Sequence, residues 1–208
     1  MSDRYAISRS LVPAWFGQRG SIEFPAWRVA AGRAAITHEL VHVILPNANR
    51  LLAEGLAVHL QAELGRNPAF PNFGKSLHQV AYQVLRTVVP SFCADDPARC
   101  DIVDLAALDS IPVPNPLVLR IGETFCDASP HGQARVYPLA GSFVRYLIDV
   151  HGIERFRALY DATPLSPFVC NPGAPERWKE IFGYRLDELA IEWKRLLLRT
   201  FARSDGFG

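Results

Sequence analysis

Apolar residues recur at helical spacing along most of the chain, and this pattern predicts a mainly α protein. In each stripe the apolar side chains stand three and four positions apart, as on one face of a helix. The stripes run over residues 77–88, 136–150, 153–160, 176–182 and 186–203. Pro90 ends the first stripe and Gly152 follows the second.

One short segment near the start of the chain has the pattern of a β-strand instead. Residues Ser21, Ile22, Glu23 and Phe24 alternate in character and lie between Gly20 and Pro25. We therefore expect a mainly α, α+β fold with a small strand or sheet in residues 1–25. The chain has 208 residues, 49% hydrophobic and 21% charged, which suffices for one core, so we expect a single domain over residues 1–208.

Two consecutive helices are predicted between the strand and the first clear stripe. An apolar, alanine-rich stretch from Val29 to Leu45 favours a mostly buried helix that stops at Pro46. The turn at residues 47–49 offers an asparagine N-cap for a second helix from Arg50 to Leu64. Because the connection is short, the two helices should be antiparallel neighbours, with the start of the second beside the end of the first.

The first of these helices contains the pentapeptide His38-Glu39-Leu40-Val41-His42. Residues four apart share a helix face, so both imidazoles can reach one tetrahedral metal ion while Glu39 points toward its open side. With 6 His and 10 Glu in the chain, about 0.01 accidental matches to this motif are expected. The alternative is that the histidines only fill a core, which without a metal or polar partners would cost several kcal/mol.

A third metal ligand can come from the second helix. Glu54 falls early in that helix, which places it near His42. Gly55 follows it, and the missing side chain would let the second helix approach the motif helix closely, despite the cost of about 1 kcal/mol for glycine in a helix. The alternative for Glu54 is an ordinary exposed helix glutamate.

Together the two segments resemble the gluzincin metallopeptidases, whose pattern is His-Glu-x-x-His followed by a ligating Glu, often within Glu-Gly-x-Ala. Here that second segment is Glu54-Gly55-Leu56-Ala57. Residues 137–147 resemble the leukotriene-hydrolase and aminopeptidase branch, in which a Tyr that begins a helix stabilises the transition state. Ala140 stands where that branch usually has Gly. The tail from Phe182 to Trp193 is similar to the closing helices of the small peptidase MA-like relatives.

The resemblance implies a zincin-like domain with one Zn²⁺ per chain, held by His38, His42 and Glu54 with water in the fourth position. It also implies hydrolysis of a peptide or protein substrate. Glu39 would accept the proton of the water and pass it to the leaving amine, and Tyr137 would hydrogen-bond to the developing oxyanion. The alternative is a non-catalytic, zinc-stabilised peptide-binding module of the same fold. Exopeptidase or endopeptidase action and the oligomeric state stay open.

Two features depart from the family pattern. In the thermolysin branch an Asp four residues after the ligating Glu holds a zinc-bound His, and here that position is Val58. Fuller family members also have a substantial β-rich portion before the motif helix, whereas residues 1–25 leave room only for a small sheet. A strand beside the zinc could still receive an extended peptide by backbone pairing.

Charge and hydropathy exclude other partners. The net charge of +1 gives no basic footprint for nucleic acid. No stretch approaches 18 uninterrupted apolar residues, and the first residues do not open into an apolar signal-peptide segment. We therefore expect neither a membrane span nor a signal peptide in this chain.

The four cysteines bear on the compartment. Cys93 and Cys100 bracket a short polar loop, and Cys126 and Cys170 lie in segments rich in Pro and Gly. Two disulfides, with Cys93–Cys100 as the favoured pair, would indicate an extracytoplasmic or secreted protein, while four free thiols are the alternative. Residues 90–135 are expected to form a long loop region that serves as a lid or cleft wall over the zinc.

Overall fold

The computed structural model describes residues 9–11, 21–47, 49–65, 69, 72–88, 133–163 and 173–201, and this part of the chain is mostly helical. The mainly α prediction is confirmed. The strands are β1 (Arg9–Leu11) and β2 (Ser21–Glu23), and the helices are α1 (Ala26–Ala30), α2 (Ile36–Ile44), α3 (Arg50–Leu64), α4 (Leu77–Val88), α5 (Gln133–His151), α6 (Ile153–Asp161), α7 (Glu176–Phe182) and α8 (Leu186–Phe201).

The predicted strand is present at the N-terminal side of the motif helix. β2 pairs with β1 in antiparallel register, with Ser10 opposite Ile22. Both strands contact α2, which carries the His-Glu-x-x-His motif. The described β-structure is therefore a single short ladder placed against that helix.

The core is built around α5, which packs against α3, α4, α6 and α8. Its inward face is fully buried, with Phe143 at the centre. The rings of Trp178 on α7 and Trp193 on α8 lie 6.1 Å and 5.6 Å from that of Phe143. This aromatic cluster anchors α5 against α7 and α8.

A polar connection crosses the same core. The indole Nε1 of Trp193 donates to Ser142 Oγ over 3.0 Å, and Ser142 Oγ lies 2.7 Å from His78 Nδ1. The buried serine thus links α8, α5 and α4. A satisfied buried polar chain of this kind favours one arrangement of the three helices over others.

Helices α3 and α5 cross at very short distance, and glycine allows it. A Cβ on Gly55 would lie 2.5 Å from Val144 Cγ2 and 2.9 Å from the carbonyl oxygen of Ala140. A Cβ on Gly141 would lie 2.3 Å from Val58 Cγ1. We predicted that Gly55 allows the motif helix to approach α3 closely. This prediction was wrong, because the backbone that approaches Gly55 belongs to α5.

The motif helix is shorter than predicted and less buried. The stretch from Val29 to Leu45 is broken after α1, where Gly32 takes a left-handed φ of 63°, a conformation that ends helices and favours glycine. α2 then begins at Ile36. Ile36 and Ile44 are 55% and 63% exposed, so in the described structure α2 is a half-buried surface helix.

The other described helices follow the predictions within a few residues. α3, α4 and α7 have the predicted bounds, and α6 and α8 differ only at their C-terminal ends. α5 begins at Gln133, so Tyr137 lies one turn inside the helix rather than at its start. Pro138 lies inside this helix, and because proline has no backbone N–H, one intrahelical hydrogen bond is missing there.

Two predictions lie outside the described residues. The four cysteines and nearly all of the expected loop region 90–135 belong to the part of the chain that is not described. Within the described ranges, no helix combines the length and apolar character needed to cross a membrane.

Candidate metal centre

The two motif histidines converge on α2. His38 and His42 are one helical turn apart, and their Nε2 atoms are separated by 3.2 Å. The rings meet edge to face with centroids 4.8 Å apart. Two ring nitrogens at this distance would face the same ion, as the i, i+4 spacing predicts.

Glu54 on α3 completes a triangle of donor atoms. Its Oε2 lies 3.3 Å from His38 Nε2 and 3.4 Å from His42 Nε2. Among the described residues, these three side chains form the group of His, Cys, Asp and Glu that is close enough to share a metal ion. The carboxylate arrives there because the turn at residues 45–49 makes α2 and α3 antiparallel neighbours.

The triangle has the dimensions of one face of a zinc tetrahedron. Bonds of about 2.0–2.1 Å from zinc to nitrogen or oxygen give ligand-to-ligand edges of about 3.3–3.4 Å in a tetrahedral site. The observed edges of 3.2, 3.3 and 3.4 Å match this value. Two imidazoles and one carboxylate are also a donor set typical of catalytic zinc, so the residues fit the ion.

The three candidate ligand side chains are not fully buried. The side chains of His38, His42 and Glu54 keep 13%, 15% and 14% of their surface exposed. A structural zinc site is closed by four protein ligands, whereas a catalytic site has three ligands and leaves a position for water or substrate. Among the described residues, three candidate ligands meet here, the number typical of the second kind of site.

Two buried polar atoms at the centre have no hydrogen-bond partner in the described structure, namely Glu54 Oε2 and His38 Nδ1. The first lies 3.3 Å and 3.4 Å from the Nε2 atoms of the two histidines, which suits an atom that shares an ion with them. The second is the ring nitrogen that a metal-bound His normally uses to donate to a supporting group. Val58, at the position where the thermolysin branch has an Asp, is fully buried against α5 and does not supply that group.

Electrostatics couple the ligands. Burial works to lower the pKa of His42, but the adjacent Glu54 carboxylate outweighs it and raises that pKa above its ordinary value. Burial likewise works to raise the pKa of Glu54, and the two histidines outweigh it and hold the pKa well below its usual range. A buried anionic carboxylate beside two imidazole nitrogens is a site that attracts a cation.

The proposed base and the proposed hydrogen-bond donor lie at the same place. Glu39 is 7% exposed in the first turn of α2, and its charge acts on both His42 and Tyr137. The Tyr137 ring lies 6.0 Å from that of His38 at an angle of 83°. Burial, together with the Glu54 charge, raises the pKa of Tyr137, so the phenol stays protonated and can donate at neutral pH.

Arg50 is a residue of this centre that was not predicted. It is the first residue of α3, is only 6% exposed, and its side chain hydrogen-bonds to the Tyr137 hydroxyl. One signal in the sequence could have revealed it. A cation in the first turn of a helix opposes the helix dipole. An arginine at such a position, between Asn49 and two leucines, therefore indicates that its side chain has a specific partner.

Tyr160 fixes the connection between the two metal-binding helices and was also missed. Its hydroxyl donates to the carbonyl oxygen of Leu45 over 2.6 Å, and its own carbonyl accepts from Asn47 Nδ2 over 3.1 Å. Burial raises the pKa of Tyr160, and the Glu54 charge adds to the rise. α6 therefore holds both sides of the turn that sets how α3 meets α2.

Gln61 supports the motif helix from α3. α2 has no side-chain N-cap of its own, because residue 35 is alanine. The backbone N–H of His38 instead donates to Gln61 Oε1 over 3.1 Å. One of the backbone N–H groups left unpaired at a helix start is thereby satisfied by a buried side chain of the neighbouring helix.

Comparison of the chain with protein-family models, with curated proteins and with solved structures gives no match. The functional inference therefore depends on the chemistry of the site.

Proposed function

We propose that this protein is a zinc-dependent metallopeptidase of the gluzincin type, with one Zn²⁺ held by His38, His42 and Glu54. The observation that carries the proposal is the triangle of donor atoms with tetrahedral edges, next to a buried glutamate in the same helix turn. A metal site that only stabilised the fold would not need Glu39 beside the ligands.

When bound, zinc supplies Lewis acidity, which polarises a carbonyl and makes a bound water more acidic. The residues of the chain supply the rest. Glu39 accepts a proton from the attacking water as the C–O bond forms, and returns it to the amide nitrogen as the C–N bond breaks. The first products are a carboxylic acid and an amine, and transfer of the acid proton to the amine gives a carboxylate and an ammonium ion, so protons and electron pairs balance.

Tyr137 supports the same step from the other wall of the site. Its hydroxyl is held beside the ligands by a buried helix, and a donor at that place can stabilise the negative charge that develops on the carbonyl oxygen. Removal of a donor of this kind costs about 2.7–4 kcal/mol in the activation barrier. The proposed substrate is a peptide or protein in an extended conformation, and the ladder that contacts α2 is a candidate place for backbone pairing.

Metal analysis tests the ligand assignment. The purified protein is expected to hold close to one equivalent of zinc, and Glu54→Ala should lose most of it because an isolated pair of histidines is a weak site. Glu63→Ala is the matched control, since Glu63 lies on the same helix but is exposed and pairs with Arg145. Equal zinc content in Glu54→Ala and Glu63→Ala would remove Glu54 from the site.

Peptide hydrolysis tests the reaction. We expect cleavage of a mixed peptide library, read by mass spectrometry, and Glu39→Gln should abolish it while zinc remains bound. Cleavage by Glu39→Gln at the wild-type rate would refute the assigned base. A wild-type protein that binds zinc and peptides without cleaving them would instead be the non-catalytic binding module.

A further inference from the structure

Arg50 is a charged residue in a helix turn whose neighbours Leu51, Leu52 and Ala53 are all buried. The residue is 6% exposed, and it stands one turn before Glu54 on α3. Its side chain hydrogen-bonds to Tyr137, while its Nε is buried without a partner in the described structure. Burying a guanidinium is expensive unless it performs a specific task.

The contact between Arg50 and Tyr137 follows from the crossing of α3 and α5. Gly55 and Gly141 remove the side chains that would separate the two helices. Tyr137 lies one turn before Gly141 on α5, and Arg50 lies just over one turn before Gly55 on α3. The close crossing therefore brings the two side chains together beside the metal ligands, in a geometry that packed helices hold fixed.

Hydrogen-bond chemistry determines which of the two side chains donates and which accepts. A guanidinium has five N–H donors and no acceptor. In the pair, the phenol oxygen of Tyr137 must accept the hydrogen bond, and its own proton cannot be directed at Arg50. The tyrosine hydroxyl is thus held by its oxygen lone pair, and its O–H bond is directed at a group other than Arg50.

We propose that Arg50 is a positioning residue that orients the Tyr137 hydroxyl as a hydrogen-bond donor toward the open side of the metal centre. Its effect on hydrolysis rests on the function proposed above. The orientation itself belongs to the folded chain and is measurable without substrate or zinc.

The orientation is tested by NMR of protein labelled at the tyrosine Cζ, in the zinc-free state. The chain has six tyrosines, so the Tyr137 signal is assigned as the one that Tyr137→Phe removes. We expect Arg50→Met to shift this signal, because the phenol oxygen loses its donor. Arg157→Met is the matched control, since Arg157 is exposed and pairs with Asp161 on α6, and it should leave the signal in place.

Arg50→Lys keeps the test informative if Arg50→Met does not fold. The ammonium retains charge and donors but lacks the planar geometry of the guanidinium, so the Tyr137 signal should still move. A Tyr137 signal that stays at its wild-type position in the folded Arg50 variants overturns the proposal, whether or not the protein cleaves peptides.

Kinetics test the consequence for the reaction. Arg50→Met should lower kcat about tenfold or more with little change in KM, a smaller loss than the roughly 10²–10³ expected when the donor hydroxyl is removed. In the Tyr137→Phe background, the same substitution should have almost no effect on kcat, and Arg50→Lys should recover part of the loss in the wild-type background. An undiminished effect in the Tyr137→Phe background would show that Arg50 does not act through Tyr137.

The two proposals fail in different ways. A wild-type protein without peptidase activity refutes the proposed function, and the NMR comparison then decides the role of Arg50 alone. If the protein is an active peptidase but its Tyr137 signal does not change in the Arg50 variants, the proposed function stands and the positioning role of Arg50 is refuted.

Discussion

Substitution of Gly55 by alanine would test how closely the proposed catalytic arrangement depends on the crossing of α3 and α5. The added Cβ would lie 2.5 Å from Val144 Cγ2 and 2.9 Å from the carbonyl oxygen of Ala140. Carbon atoms pack at about 3.5–4.0 Å, so the first contact is about 1 Å too short. A side chain can rotate away from such a contact, but the backbone carbonyl cannot, and α5 must move.

The stability change is a difference between two terms. Overpacking of a core contact costs about 1–3 kcal/mol, and alanine in place of glycine within a helix returns about 1 kcal/mol. Because one of the short contacts is to backbone, we expect the upper part of the range and a net loss of about 2 kcal/mol. For a chain of this size that corresponds to a fall in Tm of roughly 4–8 °C.

The main effect of Gly55→Ala should be on kcat. All three proposed zinc ligands come from α2 and α3, so the zinc content of Gly55→Ala should stay near one equivalent. Tyr137 is carried by α5, and a misplacement of about 1 Å can lower kcat roughly 10²-fold. Urea unfolding, metal analysis and peptide cleavage on the same preparation measure the three quantities.

The double variant Gly55→Ala/Val144→Ala serves as the control, because it removes the side-chain contact and leaves the backbone contact. It should recover part of the activity of Gly55→Ala. A Gly55→Ala protein that unfolds at the same urea concentration as wild type, or higher, and cleaves peptides at the wild-type rate would refute the close-crossing argument.

Three further predictions concern single side chains. Tyr137→Phe should lower kcat by roughly 10²–10³-fold with KM little changed. Because Arg50 loses its acceptor, the substitution should also lower the free energy of unfolding by about 1–3 kcal/mol. A variant that loses stability but keeps its kcat would show that Tyr137 is purely structural. Tyr160→Phe removes the hydrogen bond to Leu45 and should cost about 1 kcal/mol and weaken zinc in chelator competition, while unchanged zinc affinity would contradict its role in the turn. Burial lowers the pKa of His78, so the unfolded state binds more protons and stability should decrease as pH falls below about 6.5; urea midpoints at high and low pH should show a smaller difference in His78→Gln, and an equal difference would show that His78 does not contribute.

The helices that could be predicted from the sequence are those with local signals at both ends. Asn49 caps α3 by accepting from the backbone N–H of Leu52, and Pro46 stops the helix before it, so this region has correct bounds. The motif helix was predicted too long because alanines, which favour helix, lie on both sides of Gly32. The chain leaves the helical conformation between Ala30 and Ile36, with a left-handed backbone at Gly32, and an isolated glycine in an apolar stretch does not indicate which conformation it takes.

The same division holds at the site. His38, His42 and Glu54 could be predicted to meet because their spacing within two consecutive helices determines which atoms face one another. The partners of Arg50 and Gln61 could not be predicted, because they depend on how α3 packs on helices before and after it in the chain. The helix that approaches α3 at Gly55 was also predicted wrongly. A glycine in the sequence indicates that another backbone approaches closely but does not show which backbone it is.

The position of the ligands along the chain has a consequence for folding. All three lie between residues 38 and 54, so the loop that must close to bring them together is short and its entropic cost is small. Tyr137 comes from a helix far along the chain and reaches the site only when α5 packs on α3, a non-local contact that is expected to form later. A nascent or partly unfolded chain could therefore bind the metal before the Tyr137 hydroxyl, the group proposed to stabilise the transition state, reaches the site. Such a chain would cleave peptides, including its own unfolded segments, only after the fold is complete.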